Sequence, residues 1–96
     1  MMVLITYDVS TETPAGQKRL RKVAKQCENY GQRVQNSVFE CLIDPARLKL
    51  LQARLEALID PKVDSLRYYY LGDEWRNRVE HVGAKVSLNL EGTLIA

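Results

Sequence analysis

Residues 32–45 read QRVQNSVFECLIDP. Two short runs, QRVQ at 32–35 and SVFECLI at 37–43, meet at Asn36 and read as paired or kinked strands. Asp44–Pro45 then starts a helix: a side-chain oxygen caps it, and the proline's missing N–H falls where no intrahelical bond is made. Downstream, Leu48, Leu51, Leu55, Leu58 and Ile59 keep helical spacing and stop before Asp60–Pro61; SLRYYYL at 65–71 reads as a strand. Upstream, Thr13–Pro14 is the same kind of start, and Leu20, Val23, Ala24 and Cys27 form a second stripe that Gly31 ends. Before it, MVLITYDV at 2–9 is rich in β-branched and aromatic residues and free of Gly and Pro. The order is β-α-β-β-α-β, the split βαβ or ferredoxin-like arrangement of the α+β class.

The 96 residues and 11.0 kDa fit a single domain over 1–96, with a core at about 1–72 and a C-terminal extension at about 73–96. The extension is polar and turn-rich and closes on a short apolar run, 93–96, expected to act as an extra edge strand. A hydrophobic share of 46% and a charged share of 27% exclude a disordered or low-complexity chain. In the first strand Val3, Ile5, Tyr7 and Val9 occupy one face and Met2, Leu4 and Thr6 the other, so both sides seek cover. Two helices cover only one face of such a sheet. A homodimer packed through the open sheet faces is therefore expected.

The net charge of +2 conceals a segregated pattern. Lys18, Arg19, Arg21, Lys22, Lys25 and Arg33 lie between Thr13 and Phe39 with one acid, Glu28, a local +5 against −3 elsewhere. At helical spacing, the five from Lys18 to Lys25 fall opposite the apolar stripe. Their lack of interleaved acids suits a nucleic-acid backbone, although a plain solvated helix face carries the same residues.

Cys27 and Cys41 form no CxxC motif and read as buried thiols; with no export signal, a cytoplasmic location is expected. No apolar run approaches the roughly 18–20 residues that span a bilayer, so no membrane partner is expected. Nucleophile-elbow, Walker and zinc-protease motifs are absent, and His81 lacks a ligand partner at helical spacing. Tyr68, Tyr69 and Tyr70 read as strand packing, with base stacking a lesser alternative, and Glu12 and Glu40 as solvated acids, with metal ligation a lesser alternative.

Asp8 stands out because it ends an apolar strand. It reads either as a turn-initiating residue that binds backbone amides or as a ligand. In the second reading, two copies of Asp8 meet beside a two-fold axis and, with water, hold Mg²⁺ or Mn²⁺, hard cations that take oxygen ligands.

The YDV at 7–9, the basic helix at 15–29 and above all YGQRVQNSVFE at 30–40 resemble the CRISPR-associated protein two family, a likeness that runs the length of the chain. The stretch VEHVGAK at 79–85 is similar to its I-C subtype. The resemblance implies a ferredoxin-like homodimer that works with the CRISPR integrase to insert new spacers. It also implies a metal-binding and catalytic role for Asp8, catalytic positions at Tyr7, Arg33, Ser37 and Phe39, and contributions from Arg19 and Arg21.

Three classes of function follow. As an endonuclease, the dimer hydrolyses RNA or duplex DNA at a divalent ion between two Asp8 carboxylates, while Lys18, Arg19, Arg21, Lys22, Lys25 and Arg33 hold the backbone. As a scaffold, it binds DNA and bridges integrase subunits without turnover. An RNA-recognition module shares the strand order but calls for a Gly-rich, multi-aromatic third strand, which SVFECLI lacks.

Overall fold

The computed structural model describes residues 1–83. It contains β1 (Met2–Asp8), α1 (Pro14–Tyr30), β2 (Gln32–Gln35), β3 (Val38–Leu42), α2 (Pro45–Leu58), β4 (Ser65–Gly72) and one 3-10 turn at Trp75–Asn77. The strands form one sheet in the order β2-β3-β1-β4, every neighbour antiparallel. This is the expected ferredoxin-like arrangement. The run 93–96, expected as an extra strand, lies outside the described residues.

Both helices start as their caps require. The Thr13 hydroxyl accepts from the Gly16 amide at 3.0 Å, and the Asp44 carboxylate accepts from the Arg47 amide at 2.8 Å. The stripes become the core: Val23 and Cys27 of α1, and Leu48, Leu51 and Leu55 of α2, bury against Val3, Ile5, Tyr7 and Val9 of the β1 segment and Phe39 and Cys41 of β3.

Gly31 ends α1 for a different reason than expected. Its φ of −157° is extended backbone, not the left-handed cap that favours glycine. A Cβ there would lie 2.6 Å from the Glu40 carbonyl oxygen and run into the Cys41 sulfur. The glycine is needed because α1 turns back directly onto β3.

β3 is one residue shorter at each end than the run 37–43 suggests. Asn36 and Ser37 form the turn, and the β2–β3 register shifts between Arg33 and Gln35. The hairpin tip therefore sits at the same end of the sheet as Asp8. There the Tyr7 amide donates to the Ser37 carbonyl at 3.2 Å.

Candidate functional site

Asp8 is the last residue of β1 and its register partner on β4 is Ser65. Strand alternation places it with Met2, Leu4 and Thr6 on the sheet face that the helices leave open. It is exposed, and among the described residues its carboxylate has no hydrogen bond or ion pair. The turn-initiating reading of Asp8 therefore fails.

The carboxylate that binds amides at this corner is that of Asp64, which the sequence reading did not single out. Its oxygens accept from the Ser10 amide at 2.9 Å, the Asp60 amide at 2.8 Å, and Arg19 Nε at 2.8 Å and Nη2 at 3.4 Å. The Asp64 side chain is fully covered. The Arg19 hydrogen bond, followed by the two amides, holds its carboxyl below the ordinary 3.8 against the opposing effect of burial. Asp64 ties together the chain leaving β1, the first turns of α1 and the chain entering β4. It thus fixes both strands at the level of Asp8. The loop DPKVD at 60–64 signals turn chemistry. Nothing in it shows that α1 delivers Arg19.

Tyr7, Arg33 and Phe39 gather on the opposite, helix-covered side, beside the turn that carries Ser37. Arg33 pairs with Phe39 and Phe39 with Ile5, which is a core residue. The rings of Tyr7 and Phe39 stack with centroids 6.1 Å apart, and the Arg33 guanidinium lies 5.1 Å from the Phe39 centroid. The Tyr7 hydroxyl donates to the Asn36 carbonyl at 3.2 Å, and Arg33 Nη2 donates to Glu28 at 3.1 Å. Burial raises the Tyr7 phenol, with the Arg33 charge opposing. Ser37 is half-buried at the hairpin tip, where Gln35, Asn36, Ser37 and Val38 line a shallow polar hollow. These four residues shape the end of the sheet that holds Asp8, from the other side of it.

On α1, Lys18, Arg21, Lys22 and Lys25 are exposed, as the helical spacing implies. Arg19 departs from them: it is half-buried and turned into Asp64. Cys27 and Cys41 are buried free thiols, pushed up to about 12 and about 11 chiefly by burial. That keeps them protonated and unsuited to metal or redox chemistry.

The donor set for a divalent cation is thin within one chain. Glu12 lies exposed in the loop before α1. Glu40 is on the open face opposite Leu4, and burial raises its carboxyl, with the His81 charge opposing. Leu4 lies four residues from Asp8, or ~13 Å along a strand. Among the described residues no three carboxylate, histidine or cysteine side chains group as a metal site. Asp8 is an oxygen donor of the kind Mg²⁺ takes, and one carboxylate does not by itself make a donor set.

Sheet order, two helices on one face and an open opposite face define a ferredoxin-like α+β domain. The family model for the CRISPR-associated protein Cas2 matches residues 1–79. The chain belongs to the Cas2 family. It is 63% identical over 95 residues to the CRISPR-associated endoribonuclease Cas2 of Chlorobaculum tepidum, covering 99% of each chain. It is 60% identical over 95 residues to the CRISPR-associated endonuclease Cas2 of Halalkalibacterium halodurans, again covering 99% of each. Among solved structures, Streptococcus pyogenes Cas2 at pH 6.5 superposes with a TM-score of 0.75 at 63% identity, covering 86% of this chain and 100% of that one. No helix among the described residues is long and apolar enough to cross a membrane.

Proposed function

We propose that the chain is an endonuclease of CRISPR spacer acquisition. In this reading it acts as a homodimer joined through the open sheet faces, cleaves phosphodiester bonds with Mg²⁺ or Mn²⁺, and works beside the CRISPR integrase in the cytoplasm. One observation carries the reading: a strand-end carboxylate, exposed and without a partner among the described residues, on the sheet face that the helices leave open. The names of the relatives support RNA as the first substrate to test, with DNA beside it.

In the dimer, the two Asp8 carboxylates would be the residues that hold the divalent ion. Such an ion, when bound, would supply Lewis acidity and lower the pKa of a coordinated water. The chain's residues do the remaining work. Lys18, Arg21, Lys22 and Lys25 neutralise backbone phosphates, and Asp64 fixes the two strands that present Asp8. No side chain among the described residues is placed as a general acid at Asp8, so solvent protonates the leaving oxygen and turnover is slow.

A second reading, a scaffold that holds DNA and bridges integrase subunits without turnover, is favoured by the thin donor set of the single chain. A metal-titrated cleavage assay on RNA and duplex DNA separates the two. Asp8→Asn is expected to abolish cleavage while leaving DNA binding intact. Equal cleavage by parent and variant rejects the Asp8 site. A parent inert across metals and pH leaves the scaffold.

A further inference from the structure

Two of the three arginines expected to hold phosphate beside Asp8 are committed elsewhere. Arg19 is clamped by Asp64, and Arg33 lies over Phe39 on the helix side with Glu28 as partner. The third, Arg21, sits on α1, in the layer behind the sheet. Register supplies a different cation. β1 and β4 pair Asp8 with Ser65 and Thr6 with Arg67, so Arg67 is the diagonal neighbour of Asp8 on the same open face. Diagonal cross-strand positions lie about 7–8 Å apart, within reach of a long side chain.

Arg67 is exposed, and among the described residues β4 is an edge strand, so the side chain stands at the rim of the sheet. Its Nη1 donates to the Tyr69 hydroxyl at 3.1 Å, and Tyr69 is the next residue along that face. No carboxylate among the described residues pairs with it. One donor is thus spent on fixing the guanidinium's direction, and the others have no partner among the described residues. A planar fork fixed at one end is set to donate to two oxygens of a phosphodiester.

We infer that Arg67, oriented by Tyr69, contacts the phosphodiester adjacent to Asp8. It is the cationic part of the site on the open face, and the α1 lysines engage phosphates farther along the strand. The role in cleavage rests on the nuclease reading; the phosphate contact does not.

The test reads both. Binding of a short RNA duplex and a short DNA duplex is followed by anisotropy in EDTA over a salt series, and cleavage is measured separately with Mg²⁺. Arg67→Gln is expected to reduce the slope of log affinity against log salt by about 1 per site, and Arg67→Lys to keep the parent's slope. If the parent cleaves, Arg67→Gln is expected to lower kcat on the order of 100-fold. A parent that binds without cleaving rejects the nuclease reading, and the salt slope alone then decides the contact. A slope equal to the parent's overturns the inference. So does an Arg67→Gln protein of halved mass in light scattering, because the guanidinium is then holding a second chain. Should Arg67→Gln not fold, Tyr69→Phe decides: a several-fold loss of affinity at unchanged slope is expected, and unchanged affinity overturns the proposal.

Discussion

Asp64 brings a charged group to a covered position and satisfies it on every side. Two backbone amides and a forked arginine converge on its oxygens. Removing the acceptor strands the Ser10 and Asp60 amides, at a cost on the order of 1–3 kcal/mol for each one left dry. The pH dependence follows from the sign of the shift. The folded-state carboxyl is held below its ordinary 3.8, so the carboxylate's contribution to stability is complete above that value and is lost as pH falls through the lower, folded-state value. Asp64→Asn is therefore expected to unfold at a lower temperature than the parent at pH 6. The difference should shrink as both are taken toward pH 2. Parallel melting curves across that range would contradict the clamp. Asp8 is the counterpart at this scale. Its odd position at the end of an apolar strand was readable from the sequence. That it has no partner among the described residues, because Asp64 has taken the amides of the corner, was not.

At the scale of elements, α1 shows where periodicity succeeds and where it stops. Spacing alone separates Val23 and Cys27, which are buried, from Lys18, Arg21, Lys22 and Lys25, which are exposed. Arg19 sits at the margin of the two faces, and its fate is set by a residue 45 positions away. Substituting Lys18→Glu and Lys22→Glu together is expected to weaken duplex binding and flatten its salt dependence by about 2, with thermal stability close to the parent's. An unchanged salt slope would show that α1 is only a solvated face. Arg19→Glu, in contrast, places a second carboxylate against Asp64, so its binding defect is inseparable from loss of fold. β2 and β3 teach a related point. QRVQ and SVFECLI were legible as strands, yet the register shift at Arg33–Gln35 decides which way Arg33 faces.

At the scale of the whole molecule, the open face of the sheet sets the behaviour. Met2 is buried, and Leu4, Thr6, Val38 and Leu42 are half-buried. In the proposed dimer the β1–β3 part of this face is closed by the same part of a second chain, which also brings the second Asp8, and the β4 rim that carries Arg67 and Tyr69 is left outside. Light scattering at micromolar concentration is expected to give twice the 11.0 kDa chain mass. A monomer there would remove both the covering of the sheet and the paired metal site.

The sequence by itself determined the order of elements, their caps and the inward faces of both helices. Each of these is local: a hydroxyl or carboxylate three residues from the amide it caps, or a stripe of side chains about 3.6 residues apart. It also marked Asp8 as out of place and the first helix as basic. Only the tertiary structure decided that Gly31 serves a close approach to β3, that Arg19 belongs to Asp64, that Arg33 faces the helices and that Arg67 shares a face with Asp8. Each of these depends on the pairing of segments far apart in the chain. A one-residue change of register reverses the face of every side chain beyond it, and no local pattern records that choice.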